Sequence, residues 1–374
     1  MPDFLDSQHT EVLRTVERLA DELAALATRV DAEDLGPATR QASKAAGVFG
    51  MTQPAAFGGT EAGALALTIV RDTLGSRNVG HLPGILGPSP GVLANVGDPV
   101  RTQFLLPYLA GELRSGFGFT EPADAPRHTW AVHDGDDLVI NGQKSYVTGG
   151  TDAAFINALV EISGTGPAMV LIETDRPGVT LTKRFGTLDG SHHAAFTFSD
   201  VRVPATHVIG EAGRGLGRAL SQINATRLSI AADCVGQSRF AIDLVEQSLA
   251  ERSARRSDGD TPARTGTDVE RVNLGDMRIA AYAARSALYR TARLVDSGEN
   301  AVNEVMAAKS LATETLSRVC DDAIQLVGGT ALVDGHPLAG ILRRARAMRL
   351  AEGPTEVLAA NVARGRLDLG LGRI

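Results

Sequence analysis

From residue 7 onward, apolar residues recur every three or four positions, at Val12, Val16, Leu19, Leu23 and Leu26, which is the spacing of one face of an α-helix. The helical pattern runs to about residue 115. Two stretches punctuate it as turns, Pro54-Ala55-Ala56-Phe57-Gly58-Gly59 and the proline-rich segment 83–90. From about 116 to 212 the period shortens toward two. Short strands are expected at 137–140, 168–172 and 195–198, separated by Gly, Pro and Asp turns, and the segment reads as a compact antiparallel β-domain. Long helical segments return from Gly213. They are broken chiefly at 257–267, a Gly-, Pro- and Arg-rich stretch expected to be an exposed loop, and helices of this length with short links favour an antiparallel bundle. The expected organisation is therefore an N-terminal helical domain (1–115), a middle β-domain (116–212) and a C-terminal helical bundle (213–374).

Composition narrows the picture. A chain of 374 residues, 43% hydrophobic and 22% charged, can bury a large core and divide into two or three domains. The formal net charge is -7 and there is no long basic block, so neither nucleic acid nor an anionic membrane is an expected partner. No apolar run approaches the ~18 to 20 residues of a membrane span, and the opening acids Asp3, Asp6 and Glu11 are unlike a secretory leader, so a cytoplasmic location is expected. The two cysteines, Cys234 and Cys320, sit in apolar helical patterns and read as small core residues.

The chemistry-bearing candidates begin at the C-terminal end. Leu342, Ala345, Met348 and Leu350 read as the buried side of a helix that Gly353-Pro354 must break, with a second helix starting near Val357, Leu358, Ala360, Asn361 and Val362. Glu352 falls at the tip of that junction. Its carboxylate either caps the following helix or serves as a base. A second constellation, Ser191-His192-His193 with Asp189 and Asp200, has the residue types of a hydrolase or metal site. Adjacent histidines in a strand point to opposite faces, so a surface turn is the expected reading.

The order of regions, together with Phe117-Gly118-Phe119-Thr120-Glu121-Pro122, Asn141-Gly142-Gln143-Lys144-Ser145-Tyr146-Val147-Thr148-Gly149-Gly150, Phe198-Ser199-Asp200-Val201-Arg202-Val203-Pro204, Thr226-Arg227, Gln325-Leu326-Val327-Gly328-Gly329 and the run ending in Glu352-Gly353-Pro354-Thr355-Glu356, resembles the acyl-CoA dehydrogenase family over nearly the whole chain. The resemblance implies a mainly α fold with a central β-barrel or sandwich and a C-terminal four-helix bundle. It also implies FAD as cofactor. Phe119, Thr120, Val147 and Thr148 would lie against the isoalloxazine, where threonine hydroxyls and backbone N–H groups tune its electronics. Tyr146 stands where the family has a tryptophan beside the flavin. Gln325, Gly328 and Gly329 would serve FAD across a subunit interface, which implies a homodimer or homotetramer.

On the substrate side, Asn224, Thr226 and Arg227 fall on the helix that lines the family's acyl-CoA groove, although Arg227 read alone is equally an ion-paired surface residue. Glu352 occupies the position of the family's catalytic glutamate. The alternative family position for the base is held here by Thr226, which leaves Glu352. The implied reaction is α,β-dehydrogenation of an acyl-CoA thioester to the trans-2-enoyl-CoA, with the Glu352 N–H and a flavin ribityl hydroxyl on the thioester carbonyl, Gly353 beside it, and an electron-transfer flavoprotein as acceptor.

Several segments depart from the family pattern. Residues 123–129 form a loop about four residues shorter than usual. The segment 253–259, with its insertion to Thr267, replaces an Arg-x-x-Phe-Gly signature, and a glutamine expected afterwards falls near Asp268. Arg344 stands in place of an aspartate, and Pro354 in place of a flavin-contacting threonine, removing a hydroxyl and an N–H together. These changes open two alternatives: a subunit of a heteromeric acyl-CoA dehydrogenase sharing FAD sites with a partner chain, or a non-catalytic acyl-CoA or acyl-carrier binding protein on the same fold.

Overall fold

The computed structural model describes residues 5–256 and 265–374 and forms two compact units. One comprises the chain up to Thr52, Thr60–Leu86 and Asn224–Ile374; the other comprises Gln53–Gly59 and Gly87–Ile223. The units interleave along the chain. Most of the expected exposed loop at 257–267 lies outside the described residues.

In the first unit, α1 (Ser7–Arg29) starts on Asp6, whose carboxylate accepts from the His9 N–H at 2.8 Å, and buries Leu13, Val16, Leu19, Ala20 and Leu23. It is followed by α2 (Ala32–Ala45) and α3 (Ala64–Gly75). The second unit holds a short α4 (Leu106–Ala110), preceded by one π-helical turn. Between α3 and α4 the chain is largely irregular, because Gly80, Pro83, Gly84, Pro88 and Pro90 deny it a continuous helical ladder.

The second unit is built on eight strands: β1 (Ser115–Gly118), β2 (Trp130–Asp134), β3 (Asp137–Thr148), β4 (Phe155–Ile162), β5 (Gly166–Glu173), β6 (Val179–Gly186), β7 (His192–Pro204) and β8 (Val208–Ile209). They run in the order β6-β7-β3-β1-β4-β5-β8, with β2 pairing both β3 and β4. The pairings are antiparallel except β1 with β4 and β2 with β4, which are parallel. Neither parallel pair is consecutive in the chain, so long connections are available to reverse direction. The apolar run 168–172 has a simple cause. Ala168, Val170 and Ile172 enter one core with Ile140, Phe196 and Val203, while Met169 and Leu171 enter another with Leu93, Leu105 and Phe155.

The helix α5 (Gly215–Arg256) passes from the second unit into the first, where α6 (Asp268–Asp296), α7 (Val302–Val327), α8 (Pro337–Met348) and α9 (Thr355–Asp368) complete the C-terminal helical region. Thr267 and Glu270 cap the start of α6 with reciprocal side-chain and backbone hydrogen bonds. Leu228, Val235, Leu288, Leu316, Ile341 and both cysteines share the core. Among the described residues, no helix is long and apolar enough to cross a membrane.

Candidate active site

The structure sorts the candidate residues into two constellations, one in each unit. In the helical unit, α8 ends at Met348 and α9 begins at Thr355, and the chain turns between them through Glu352 at φ 54° and Gly353 at φ 109°. A left-handed glutamate is uncommon and is strained unless its surroundings hold it. Here they do. Arg227 Nε donates to the Glu352 carbonyl at 2.9 Å, and Arg227 Nη1 donates to Asn224 Oδ1 at 2.8 Å. From α7, Lys309 Nζ donates to the carbonyl of Gly353 at 2.9 Å and to that of Arg349 at 3.3 Å. Glu314 accepts from Arg349 Nε and from Thr355 Oγ1, both at 2.8 Å, and so ties the two sides of the turn together. At Gly353 a Cβ would lie 3.0 Å from Leu358 Cδ2.

All these bonds reach backbone or neighbouring residues, and the Glu352 carboxylate itself has no hydrogen bond or ion pair among the described residues. Burial raises its pKa above the ordinary glutamate value, against the opposing pull of the Arg227 and Lys309 charges. Burial likewise lowers Lys309, to about 8. Arg227 is buried, not the ion-paired surface arginine that its sequence also allowed. The expected buried face of α8 is shifted. Leu338, Ile341 and Ala345 are its buried residues, whereas Leu342 and Leu350 are exposed, because Leu350 lies past the end of the helix. Arg344 donates to Gln237 at 3.0 Å and to Asn78 at 2.9 Å.

Gln325 is exposed near the end of α7, and Gly328, at φ 86°, ends the helix. A Cβ added at Gly328 or Gly329 would meet nothing within 4 Å, so the backbone there faces open space. Of the altered segment, residues 253–256 close α5 and Asp268 opens α6.

In the β unit, Thr148 ends β3 and pairs with Phe117 of β1, and Thr120 follows β1 with its carbonyl accepting from Ser145 N–H at 2.9 Å. Both threonines are exposed. Phe119 stacks on Phe117 at 6.2 Å. The side chain of Val147 is fully buried in the strand core, so only its backbone can face a ligand. Tyr146 stands at a register shift between β3 and β7 with φ 50° and is 60% exposed, its ring edge-on to Phe185 at 5.1 Å.

In the same unit the buried Lys144 Nζ meets Oε1 of the part-buried Glu121 at 2.8 Å, and Glu121 also accepts from Thr129 N–H at 2.7 Å and pairs with His128 Nδ1 at 2.6 Å. Burial would raise the Glu121 carboxyl, but these partners outweigh it and hold it at about 2. Gly118 lets Lys144 and Ile156 pass close, since a Cβ there would lie 2.9 Å from Ile156 Cγ2.

Sequence reasoning overlooked Lys309, Glu314 and the Glu121–Lys144 pair. A lone lysine inside the apolar run of α7 is the signal that could have flagged Lys309. Among the described residues no cluster suited to a metal ion occurs, and Asp200 is engaged with Asn141 rather than with the histidines.

Residues 213–367 match the family described as acyl-CoA dehydrogenase, C-terminal domain. The chain is 30% identical to the probable acyl-CoA dehydrogenase YngJ of Bacillus subtilis, over 85% of this chain and 86% of that protein. It is 27% identical to the mitochondrial short-chain specific acyl-CoA dehydrogenase of Homo sapiens, over 94% and 88%. Among solved structures, a probable acyl-CoA dehydrogenase from Mycobacterium abscessus superposes with a TM-score of 0.76 at 26% identity, covering 95% of this chain and 96% of that one. Extended similarity to a relative at this identity, together with the shared fold, places the chain in the acyl-CoA dehydrogenase family of FAD-dependent oxidoreductases.

Proposed function

We propose that this chain dehydrogenates an acyl-CoA thioester at the α,β-bond, with Glu352 as the base. The observation that carries this reading is the Glu352 turn. A carboxyl held in a left-handed bend by Arg227 and Lys309, raised in pKa by burial and left without a hydrogen-bond partner among the described residues, is prepared to accept a proton from carbon. A thioester α-C–H is too weak an acid for a carboxylate in water, so donors on the thioester carbonyl must stabilise the departing charge, and the Glu352 N–H is the donor this chain offers. The α-proton passes to Glu352, the α,β double bond forms, and the product is the trans-2-enoyl thioester. FAD, when bound, supplies the acceptor for the hydride lost from the β-carbon.

The residues suit such a cofactor. Exposed hydroxyls of Thr120 and Thr148 end the β1–β3 seam, Tyr146 offers an uncovered ring, and Gly328 and Gly329 offer open backbone. The threonines and Tyr146 would hold the flavin ring, with Phe119 and the Val147 backbone beside them, while Gln325, Gly328 and Gly329 would serve the phosphates of FAD across a subunit interface. Reduced cofactor would pass its electrons to an electron-transfer flavoprotein.

An oligomer is supported by Val269, Val272, Ile279 and Tyr282, which recur at helical spacing on α6 and are all at least 64% exposed. Pro354 favours a second reading, a heteromeric enzyme that shares flavin sites with a different chain.

The test is the absorbance spectrum and flavin stoichiometry of the chain purified alone, followed by anaerobic addition of acyl-CoA thioesters. Near-stoichiometric FAD that bleaches with one thioester class supports the homomeric enzyme. Protein that takes up no FAD moves the assignment to the heteromer or to a binder without redox chemistry.

A further inference from the structure

Thr148 of β3 lies directly across from His193 of β7, with Thr148 Oγ1 3.3 Å from His193 Nδ1. The other ring nitrogen, Nε2, is 3.0 Å from Ser191 Oγ. Ser191 Oγ in turn donates to Asp189 Oδ1 at 2.9 Å, and the same carboxylate oxygen accepts from Thr187 Oγ1 at 2.6 Å and from the Ser191 N–H at 3.2 Å. The imidazole is fixed by Phe185, stacked at 5.8 Å, and by Tyr146 at 6.1 Å.

Counting protons along this chain fixes its direction. Burial would raise the Asp189 carboxyl, but the hydrogen bonds from Thr187 and Ser191 prevail and keep it below its ordinary value. An ionised carboxylate only accepts, and Ser191 Oγ also lies 2.7 Å from Thr187 Oγ1, so the single Ser191 proton is drawn to Asp189 or Thr187 and the Ser191 oxygen is offered to His193. His193 therefore carries its proton on Nε2. In the neutral ring Nδ1 is then a bare acceptor, and the Thr148 hydroxyl must donate to it. What Thr148 has left to present outward is an oxygen lone pair.

We propose that Asp189, Ser191 and His193 form a relay that turns the Thr148 hydroxyl into a hydrogen-bond acceptor toward bound flavin, with His193 as a positioning residue. The proposal rests on the reading that Thr148 contacts the flavin. An acceptor at that place favours the flavin form whose facing nitrogen bears a proton, which is the reduced form, so the relay raises the midpoint potential. Of the two histidines only His193 is in the relay; His192 is exposed.

The test is the midpoint potential of the FAD-loaded protein, by potentiometric titration of the wild type, His193→Phe, His193→Asn, Ser191→Ala and Thr148→Val. His193→Phe is expected to lower the potential by about 30 mV, a tenfold change in the two-electron reduction equilibrium. His193→Asn, whose amide oxygen replaces Nδ1 as acceptor, is expected to restore most of it. Ser191→Ala, just outside β7, should shift the potential the same way as His193→Phe and serves if that variant does not fold. Thr148→Val should lower the potential and erase any further effect of His193→Phe. A shift with Thr148→Val and none with His193→Phe or Ser191→Ala overturns the relay while leaving the flavin contact standing. No shift with Thr148→Val, or a wild type that takes up no FAD, overturns both.

Discussion

Replacing Lys309 with methionine separates the stability of the fold from the order of the Glu352 turn. Lys309 is fully buried, and its ammonium is the donor to the carbonyls of Gly353 and Arg349. Methionine keeps the length of the stem but leaves both carbonyls without that donor, at about 1 to 3 kcal/mol each. Against this stands the cost of burying the ammonium. Its pKa falls from 10.5 to about 8, and at ~1.4 kcal/mol per tenfold step that amounts to about 3 kcal/mol. The two effects are of similar size, so Lys309→Met is expected to change the unfolding free energy by less than about 3 kcal/mol.

The local consequence is larger. With its α7 anchor gone, the left-handed Glu352 relaxes, and the rate of flavin reduction by substrate should fall at least tenfold. The pH dependence checks the same reasoning. Because the folded pKa lies below the unfolded one, the native state sheds its proton first. Wild-type stability relative to Lys309→Met should therefore rise between about pH 8 and pH 10.5 and be lost again as the pH falls through 8. Chemical denaturation across that range, with stopped-flow reduction at pH 7, measures both. A variant that reduces its flavin within about twofold of wild type would refute the anchoring role.

Glu352→Gln should retain its fold and any flavin yet abolish substrate-driven bleaching. Since burial disfavours the charged carboxylate, the variant should also melt above wild type at pH 7, and a lower melting temperature would contradict the direction of the pKa shift. Lys144→Met takes the charged partner from part-buried Glu121, which keeps its hydrogen bonds with Thr129 N–H and His128, and should cost about 1 to 3 kcal/mol, most of it recovered in the double variant with Glu121→Gln; urea denaturation of the three variants checks this. Because Glu121 titrates near 2 in the folded state against 4.5 unfolded, the contribution of the pair should be intact above about pH 4.5 and fade as pH falls toward 2, as acid titration of the wild type against the double variant will show. Gly353→Ala forces a Cβ into a backbone region with φ 109° and against Leu358, and should cost about 1 to 3 kcal/mol with loss of substrate-driven reduction, both measurable on the purified variant.

Periodicity alone made the succession of helical, strand and helical stretches legible, because amphipathic helices and two-faced strands must repeat at 3.6 and 2 residues to bury one side. The face of α1 and the strands around 137–140, 168–172 and 195–198 were readable on that ground. So was the break at Gly353-Pro354, since no helix continues through that pair, and with it the position of Glu352 between two helices. What the sequence could not contain was the pairing of distant segments. The parallel partnership of β1 and β2 with β4, and the interleaving of the two units, arise from contacts between residues far apart in the chain. The same is true of the groups that make the turn chemically distinctive. Lys309 and Arg227 reach Glu352 and its neighbours across 44 and 125 positions of sequence, and His193 reaches Thr148 across 45. A base needs burial to raise its pKa and a rigid backbone to aim it, and both are properties of neighbours that only the tertiary structure brings together.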